Sequence, residues 1–282
     1  MSIKLIQERL NSYNCKSELE EEHVIREITQ EVALAALSRT DFFKYGVFQG
    51  GTCLRIFYGL NRFSEDLDFI LKEPNQEFNL QPHLQSLSEE LLAYGYKVDI
   101  TDRSKTDIAV KKAFIKDDSI GKVLQLNHAG KTGPFRKIRI KLEVDTNPPL
   151  GSRTEIKYLD FPFVSSVTVQ DKPSLFAGKL HALLCREYIK GRDWYDFLWY
   201  TSQGITVNYE FLASALKQQG TWKDQIINVN LEWCMAQLEK TIKSINWKAT
   251  AEDVRRFVRV AEQPSVDLWS KEFFLAQLEK LK

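Results

Sequence analysis

The sequence predicts an α+β protein with two parts: residues 1–170 forming a mixed sheet flanked by helices, and residues 171–282 forming an all-helical domain. Three observations carry this. Residues 138–145 alternate Ile138, Ile140, Leu142 and Val144 with Arg139, Lys141, Glu143 and Asp145, the period of a half-buried strand. Residues 45–71, YGVFQGGTCLRIFYGLNRFSEDLDFIL, read as strand, glycine turn, short helix, loop and strand. From Pro173 onward only helical patterns remain, so the boundary falls near residue 170.

In chain order, residues 17–43 open on Ser17 and a run of acids. They then place Val24, Ile25, Ile28, Val32, Ala35, Ala36 and Phe42 at helical spacing, which predicts an amphipathic helix. Lys44 to Phe48 reads as the first strand and 53–59 as a short helix stopped by Gly59 and Asn61. The next strand carries Asp66 and Asp68, whose side chains leave one face because strand periodicity is two. A helix over 83–95 follows, with Leu84, Leu87, Leu91 and Leu92 inward. Strands are then expected at Tyr96 to Thr101, Ile108 to Ile115, Val123 to Leu126, Arg136 to Asp145 and Val164 to Val169. Helices are expected over 173–190, 192–202, 208–218, 223–245, 250–260 and 266–281, punctuated by Gly191, Gly204, Gly220 and Pro264.

Bulk properties narrow the function classes. With 43% hydrophobic and 27% charged residues the chain is an ordinary globular one, and its net charge of +1 gives no global support to nucleic-acid binding, although a local basic groove would be invisible in that sum. Cys15, Cys53, Cys185 and Cys234 form no CxxC pair, and the N-terminus lacks a charged-then-apolar leader, which together read as a reducing cytoplasm. No window approaches the roughly 18 apolar residues of a membrane span. The four histidines are too scattered for zinc-ligand spacing.

Two carboxylates leaving one strand face converge on one point, which is how Mg²⁺ is held together with substrate phosphates. The Gly50-Gly51-Thr52 turn exposes backbone that could approach a phosphate at a helix N-terminus. Taken alone, Asp66-x-Asp68 also reads as an acidic pair on a solvated strand; the glycine turn some 15 residues upstream turns it into a constellation. Glu143 and Asp145 share a strand face, and either could supply a third carboxylate.

These parts, a Gly-Gly turn followed by an acidic dyad, resemble the nucleotidyltransferase superfamily of DNA polymerase beta type. More narrowly, GGTCLRIFYGLNRFSEDLDF is similar to the AbiEii/AbiGii toxin family, which includes the MenT toxins. A second block, KPSLFAGKLHALLCREYIKGRDWYDFLWY over 172–200, resembles the family's later motif of a helix lysine, an arginine and an Arg-Asp-x-x-Asp helix start. The resemblance extends to about residue 200. It implies a polymerase-beta-like nucleotidyltransferase domain in which Asp66, Asp68 and Glu143 hold Mg²⁺, with Asp145 as substitute for Glu143. Gly50, Gly51 and Thr52 would cradle the phosphates of a nucleoside triphosphate. Lys179, and beside it Arg192, would neutralise the triphosphate, with Asp196 orienting Lys179 and Asp193 either capping its helix or sharing that role. A Glu at 143, where many members carry Asp, changes the metal geometry.

The activity implied is Mg-dependent transfer of NMP from an NTP to an RNA acceptor such as tRNA, by a toxin countered by a cognate antitoxin. Two other readings fit the residues: transfer to a small-molecule or protein hydroxyl, and a non-catalytic module that binds a nucleotide or partner. The aromatics Trp194, Tyr195, Phe197, Trp199 and Tyr200 could stack bases, but their helical spacing favours a core. The basic run Lys131, Arg136, Lys137, Arg139 and Lys141 could meet a nucleic-acid backbone or be a solvated strand face.

Overall fold

The computed structural model describes residues 2–104, 109–128 and 137–282. The chain forms two compact units: residues 1–59, 63–148 and 155–169 in one, and residues 60–62, 149–154 and 170–282 in the other.

Alternating apolar residues build the first unit. Strands β1 (Gly46–Gln49), β2 (Leu67–Leu71), β3 (Asp99–Asp102), β4 (Val110–Asp117), β5 (Ile138–Asp145), β6 (Thr154–Leu159) and β7 (Ser165–Gln170) form one sheet, in the order β3-β4-β5-β2-β1-β7-β6. β2 runs parallel to β5 and β1 parallel to β7, while β1–β2, β3–β4 and β4–β5 are antiparallel, so the sheet is mixed as predicted. One face is apolar: Leu67, Phe69, Ala113, Ile115, Ile138, Ile140, Leu142 and Val144 are all buried. Helix α2 (Glu18–Ser38) packs on β5 and on α5 (Gln81–Ala93), and α1 (Ser2–Ser12) packs on α2.

The predicted amphipathic helix is buried on nearly every side. Ser17 caps it, accepting from the Glu20 N–H. Its glutamates are tolerated inside because each finds donors: Glu27 takes Arg55 at 2.9 Å and the Tyr13 hydroxyl at 2.9 Å, Glu31 takes Arg9, and Glu21 accepts from the backbone of Asn127 and His128. Periodicity alone hides this, because acids at helical spacing look like a solvated face.

Several boundaries differ from expectation. Helix α3 (Phe42–Tyr45) takes the first residues of the predicted 44–48 strand, and helix α4 (Gly50–Tyr58) starts at the glycines rather than at Cys53. The strand expected at Val123 to Leu126 is absent: Val123 ends a one-turn helix, α6 (Ile120–Val123), and 124–126 are irregular. The Asp117 carboxylate ties down the Ser119 and Ile120 N–H groups at 3.0 and 2.9 Å and forces the turn. Tyr96 sits fully buried ahead of β3, its hydroxyl bonded to Thr29, so that strand begins three residues later than predicted. Helix α1 and strand β6 had no predicted counterpart. In β6 the apolar Ile156 and Tyr158 point to solvent, the reverse of the usual alternation. The first residue of the strand expected from Ile108, and Lys131 and Arg136 of the basic run, lie outside the described residues.

The second unit is helical. α7 (Lys172–Cys185), capped by Asp171 on the Ser174 N–H, packs on α8 (Gly191–Ser202) and α9 (Tyr209–Gln218); α10 (Leu231–Ser244), α11 (Trp247–Arg255), α12 (Gln263–Val266) and α13 (Lys271–Leu278) follow. The 223–245 helix starts at Leu231 because Asn230 caps it there, and the 266–281 helix is divided because Ser270 caps α13 separately. The aromatic run is core. Phe176 stacks on Tyr200 at 4.3 Å, Trp247 stacks on Phe274 at 3.8 Å, and Trp194 meets both Trp247 and Phe274 edge-on. Gly191 lets α8 approach α11, since a Cβ there would sit 2.2 Å from the Thr250 carbonyl oxygen.

Candidate active site

The acid site grows from β1, α4, β2 and β5. Parallel pairing sets Asp68 level with Glu143, and Ile70 level with Asp145. Glu143 is therefore the acid beside Asp68, while Asp145 lies further along and accepts from the Asn147 N–H at 2.9 Å. Asp66 stands one residue before β2. Its carbonyl accepts the Thr52 hydroxyl in a short hydrogen bond, so buried Thr52 spends its side chain on positioning Asp66. Gly50 adopts φ +79°, and a Cβ there would lie 2.7 Å from Asp68 Oδ2. Only glycine both fits that backbone and lets the N-terminus of α4 close on the carboxylate.

Two lysines share this face. Lys141 meets Glu143 at 2.6 Å and Lys112 meets it at 3.8 Å. Burial alone would lower the Lys141 ammonium. The hydrogen bond to Glu143 and the charges of Asp66, Glu143 and Asp68 outweigh burial and hold it above its ordinary value. Among the described residues no group of three acidic, histidine or cysteine side chains is assembled to hold a metal. The donor chemistry fits a hard cation held by Asp66 and Asp68 and completed by oxygens from elsewhere, with Glu143 tied to its lysines.

The second block lies in the helical unit. Lys179 Nζ reaches Asp193 Oδ1 at 2.6 Å and Asp196 Oδ2 at 2.8 Å. Arg186 pairs with the other oxygen of Asp193. Arg62 holds Asp196 by two bonds, Nε to Oδ1 and Nη2 to Oδ2, each 2.6 Å, with both side chains almost fully buried. Burial would raise the Asp193 carboxyl, yet Lys179 and Arg186 outweigh it and hold it below its ordinary value. Three cations against two carboxylates leave this cluster a net charge of +1. The Arg192 guanidinium lies 4.4 Å over the Phe257 ring. Arg62 was not recognisable as a member from sequence, being 134 residues from its partner.

Comparison with known proteins decides the family. A family model described as the nucleotidyl transferase AbiEii toxin of type IV toxin–antitoxin systems matches residues 32–275. The chain belongs to the AbiEii nucleotidyltransferase family. It is thus an enzyme of nucleotidyl transfer, with a nucleoside triphosphate as substrate. Two crystal structures from Helicobacter pylori share the fold. One is of a candidate nucleotidyltransferase, 18% identical with TM-score 0.50, the match covering 90% of this chain and 89% of that one. The other is of JHP933, 18% identical with TM-score 0.51, covering 92% and 89%. No protein of curated function matches the sequence. No helix among the described residues is long and apolar enough to cross a membrane.

Proposed function

We propose that this AbiEii nucleotidyltransferase moves NMP from an NTP to the terminal hydroxyl of an RNA, with tRNA the leading acceptor, as the Mg-dependent toxin of a pair with a cognate antitoxin. The observation that carries the reading is the close approach of Gly50 to Asp68, which places a helix N-terminus against a carboxylate standing level with Glu143. That arrangement suits a bound triphosphate and its counter-ion. Mg²⁺, held by Asp66 and Asp68, would supply charge neutralisation at the α-phosphate and its leaving pyrophosphate.

The chain's own groups divide the remaining work. Gly50 and Gly51 present backbone N–H groups at the start of α4 to phosphate oxygens. Thr52 fixes Asp66 through its carbonyl. Glu143, beside Asp68, accepts the proton of the attacking hydroxyl, and Lys141 stabilises the negative charge of this face. Lys179 has three donors, two of them given to Asp193 and Asp196.

The test incubates purified protein with total RNA, Mg²⁺ and each labelled triphosphate in turn, beside Asp68→Ala. Label should enter RNA with the intact protein alone. RNA left unlabelled by every nucleotide, while triphosphate still binds, would refute the reading. Growth arrest on expression, relieved by the same substitution, tests toxicity separately.

A further inference from the structure

The sheet has one apolar face and one that, over β4 and β5, carries polar, charged and aromatic side chains half-buried to exposed among the described residues. Its residues are named by register. Across one row stand Gln49, Asp68, Glu143 and Lys112; across the next, Lys141 and Phe114; across the third, Arg139 and Lys116. Arg139 is exposed, and Lys112, Phe114, Lys116 and Lys141 are half-buried, whereas the alternating Ala113, Ile115, Ile140 and Leu142 are fully buried on the other side. Arg103, whose N–H extends the β3–β4 ladder to the Lys112 carbonyl, lies 6.0 Å from the Phe114 ring. Five cations thus stand on this face with four acids, Asp68, Glu143, Asp145 and Asp99; the rows of Phe114 and Lys116 carry Lys141, Arg139 and Lys116 against Asp99 alone, which meets Lys116 at 3.7 Å.

We propose that this face of β4 and β5 is the platform for the unpaired 3′ end of the acceptor RNA, with a base stacked on Phe114 and the backbone running over Lys112, Lys116 and Arg139. The inference rests on the RNA-acceptor reading above and gives it a location. Neighbouring strands lie about 4.8 Å apart, so Phe114, two strands from β2, is roughly 10 Å from the acid dyad. A strand whose terminal hydroxyl reaches Asp66 and Asp68 therefore brings its next one or two nucleotides over Phe114. Aromatic stacking needs a splayed base, which a paired end cannot offer, so the platform selects single-stranded termini. Lys141, paired with Glu143 at 2.6 Å and level with Phe114, marks where the platform meets the reacting end.

The test measures anisotropy of a fluorescent ten-nucleotide single-stranded RNA with a 3′ hydroxyl, a blunt RNA duplex, and an acidic peptide, on the full chain without triphosphate. Phe114→Leu should weaken the single strand roughly 5- to 100-fold, in keeping with the loss of one stacked base, raise the acceptor KM more than it lowers kcat, and leave the duplex unaffected. Phe114→Tyr should restore binding. Arg139→Gln with Lys116→Gln should reduce the slope of log affinity against log salt by roughly 1.4, two phosphate contacts on a single strand. Lys122→Gln, a single charge loss at an exposed residue of α6, should change neither measurement. If the intact protein labels RNA but every platform variant binds and reacts as it does, the platform is wrong and the transfer reading stands. If the variants lose the acidic peptide and keep RNA, the face is a protein-docking surface and the proposal is overturned. If the intact protein labels no RNA, the transfer reading fails and takes the platform with it.

Discussion

The protein keeps two groups of carboxylates in opposite conditions. Asp66, Asp68 and Glu143 stand half-exposed, with Gly50 closing on Asp68. Asp193 and Asp196 are buried, at 5% and 0% exposure, and are bound by Lys179, Arg186 and Arg62. Exposed acids keep their charge for a ligand at little cost to the fold, whereas buried acids persist only because cations enclose them. The difference teaches that an acidic motif in a sequence is open to a ligand or enclosed by cations according to its surroundings: residue 66 is half-exposed, and residue 196 is bound by Arg62 and Lys179.

The comparison is best broken at Asp196. Asp196→Ala removes the carboxylate that accepts two bonds from the buried Arg62 guanidinium, and chemical denaturation should show a loss of about 3 to 5 kcal/mol. A variant as stable as the parent would mean that the pair is no brace. Asp68→Ala should do the reverse: nucleotidyl transfer falls by at least about 100-fold while the melting temperature holds, a split read by assaying both on one preparation. Gly50→Ala sharpens the same contrast. The left-handed backbone costs an L-residue about 1 to 2 kcal/mol, and the added methyl displaces the Asp68 carboxylate, so activity should drop further than stability. The smallest effect is acid-dependent. Asp193 titrates near 3.8 when unfolded and lower when folded, so the unfolded chain binds more protons in that window. The stability it contributes is present above pH 3.8 and lost as pH falls through the folded value. Asp193→Asn should flatten the acid limb of a stability–pH curve below 3.8 and change its slope little near neutrality.

What the sequence could tell follows from how local each feature is. The Gly50-Gly51 turn, the Asp66 and Asp68 spacing and the alternation of 138–145 are short-range patterns, and each appears where the pattern put it, although Asp66 precedes the strand by one residue. The level pairing of Asp68 with Glu143 depends on the register of strands some 75 residues apart, which the spacing leaves open and the parallel ladder settles. The bonding of Arg62 to Asp196, and of Arg55 to Glu27 inside a helix that reads as amphipathic, lies beyond any periodicity argument. β6 escaped notice because its apolar residues face outward, Ile156 at 64% and Tyr158 at 74% exposure, so alternation there does not report a core. Thr52 looks like a phosphate contact in a Gly-Gly-Thr turn. Its hydroxyl is directed to the Asp66 carbonyl instead.

The three residues 60–62 deserve their own consequence. They lie between α4 and β2 in the chain yet belong to the helical unit, where Arg62 is held by Asp196. No single cut releases the helical half intact. A fragment beginning at Gln170 carries a buried aspartate without its arginine, and should be less soluble and less helical by circular dichroism than the same segment co-expressed with residues 1–169. The gene, read from end to end, suggests two modules in series; the polypeptide interleaves them, so neither could have been appended to the other as a finished piece without that short excursion being written into the middle of its neighbour.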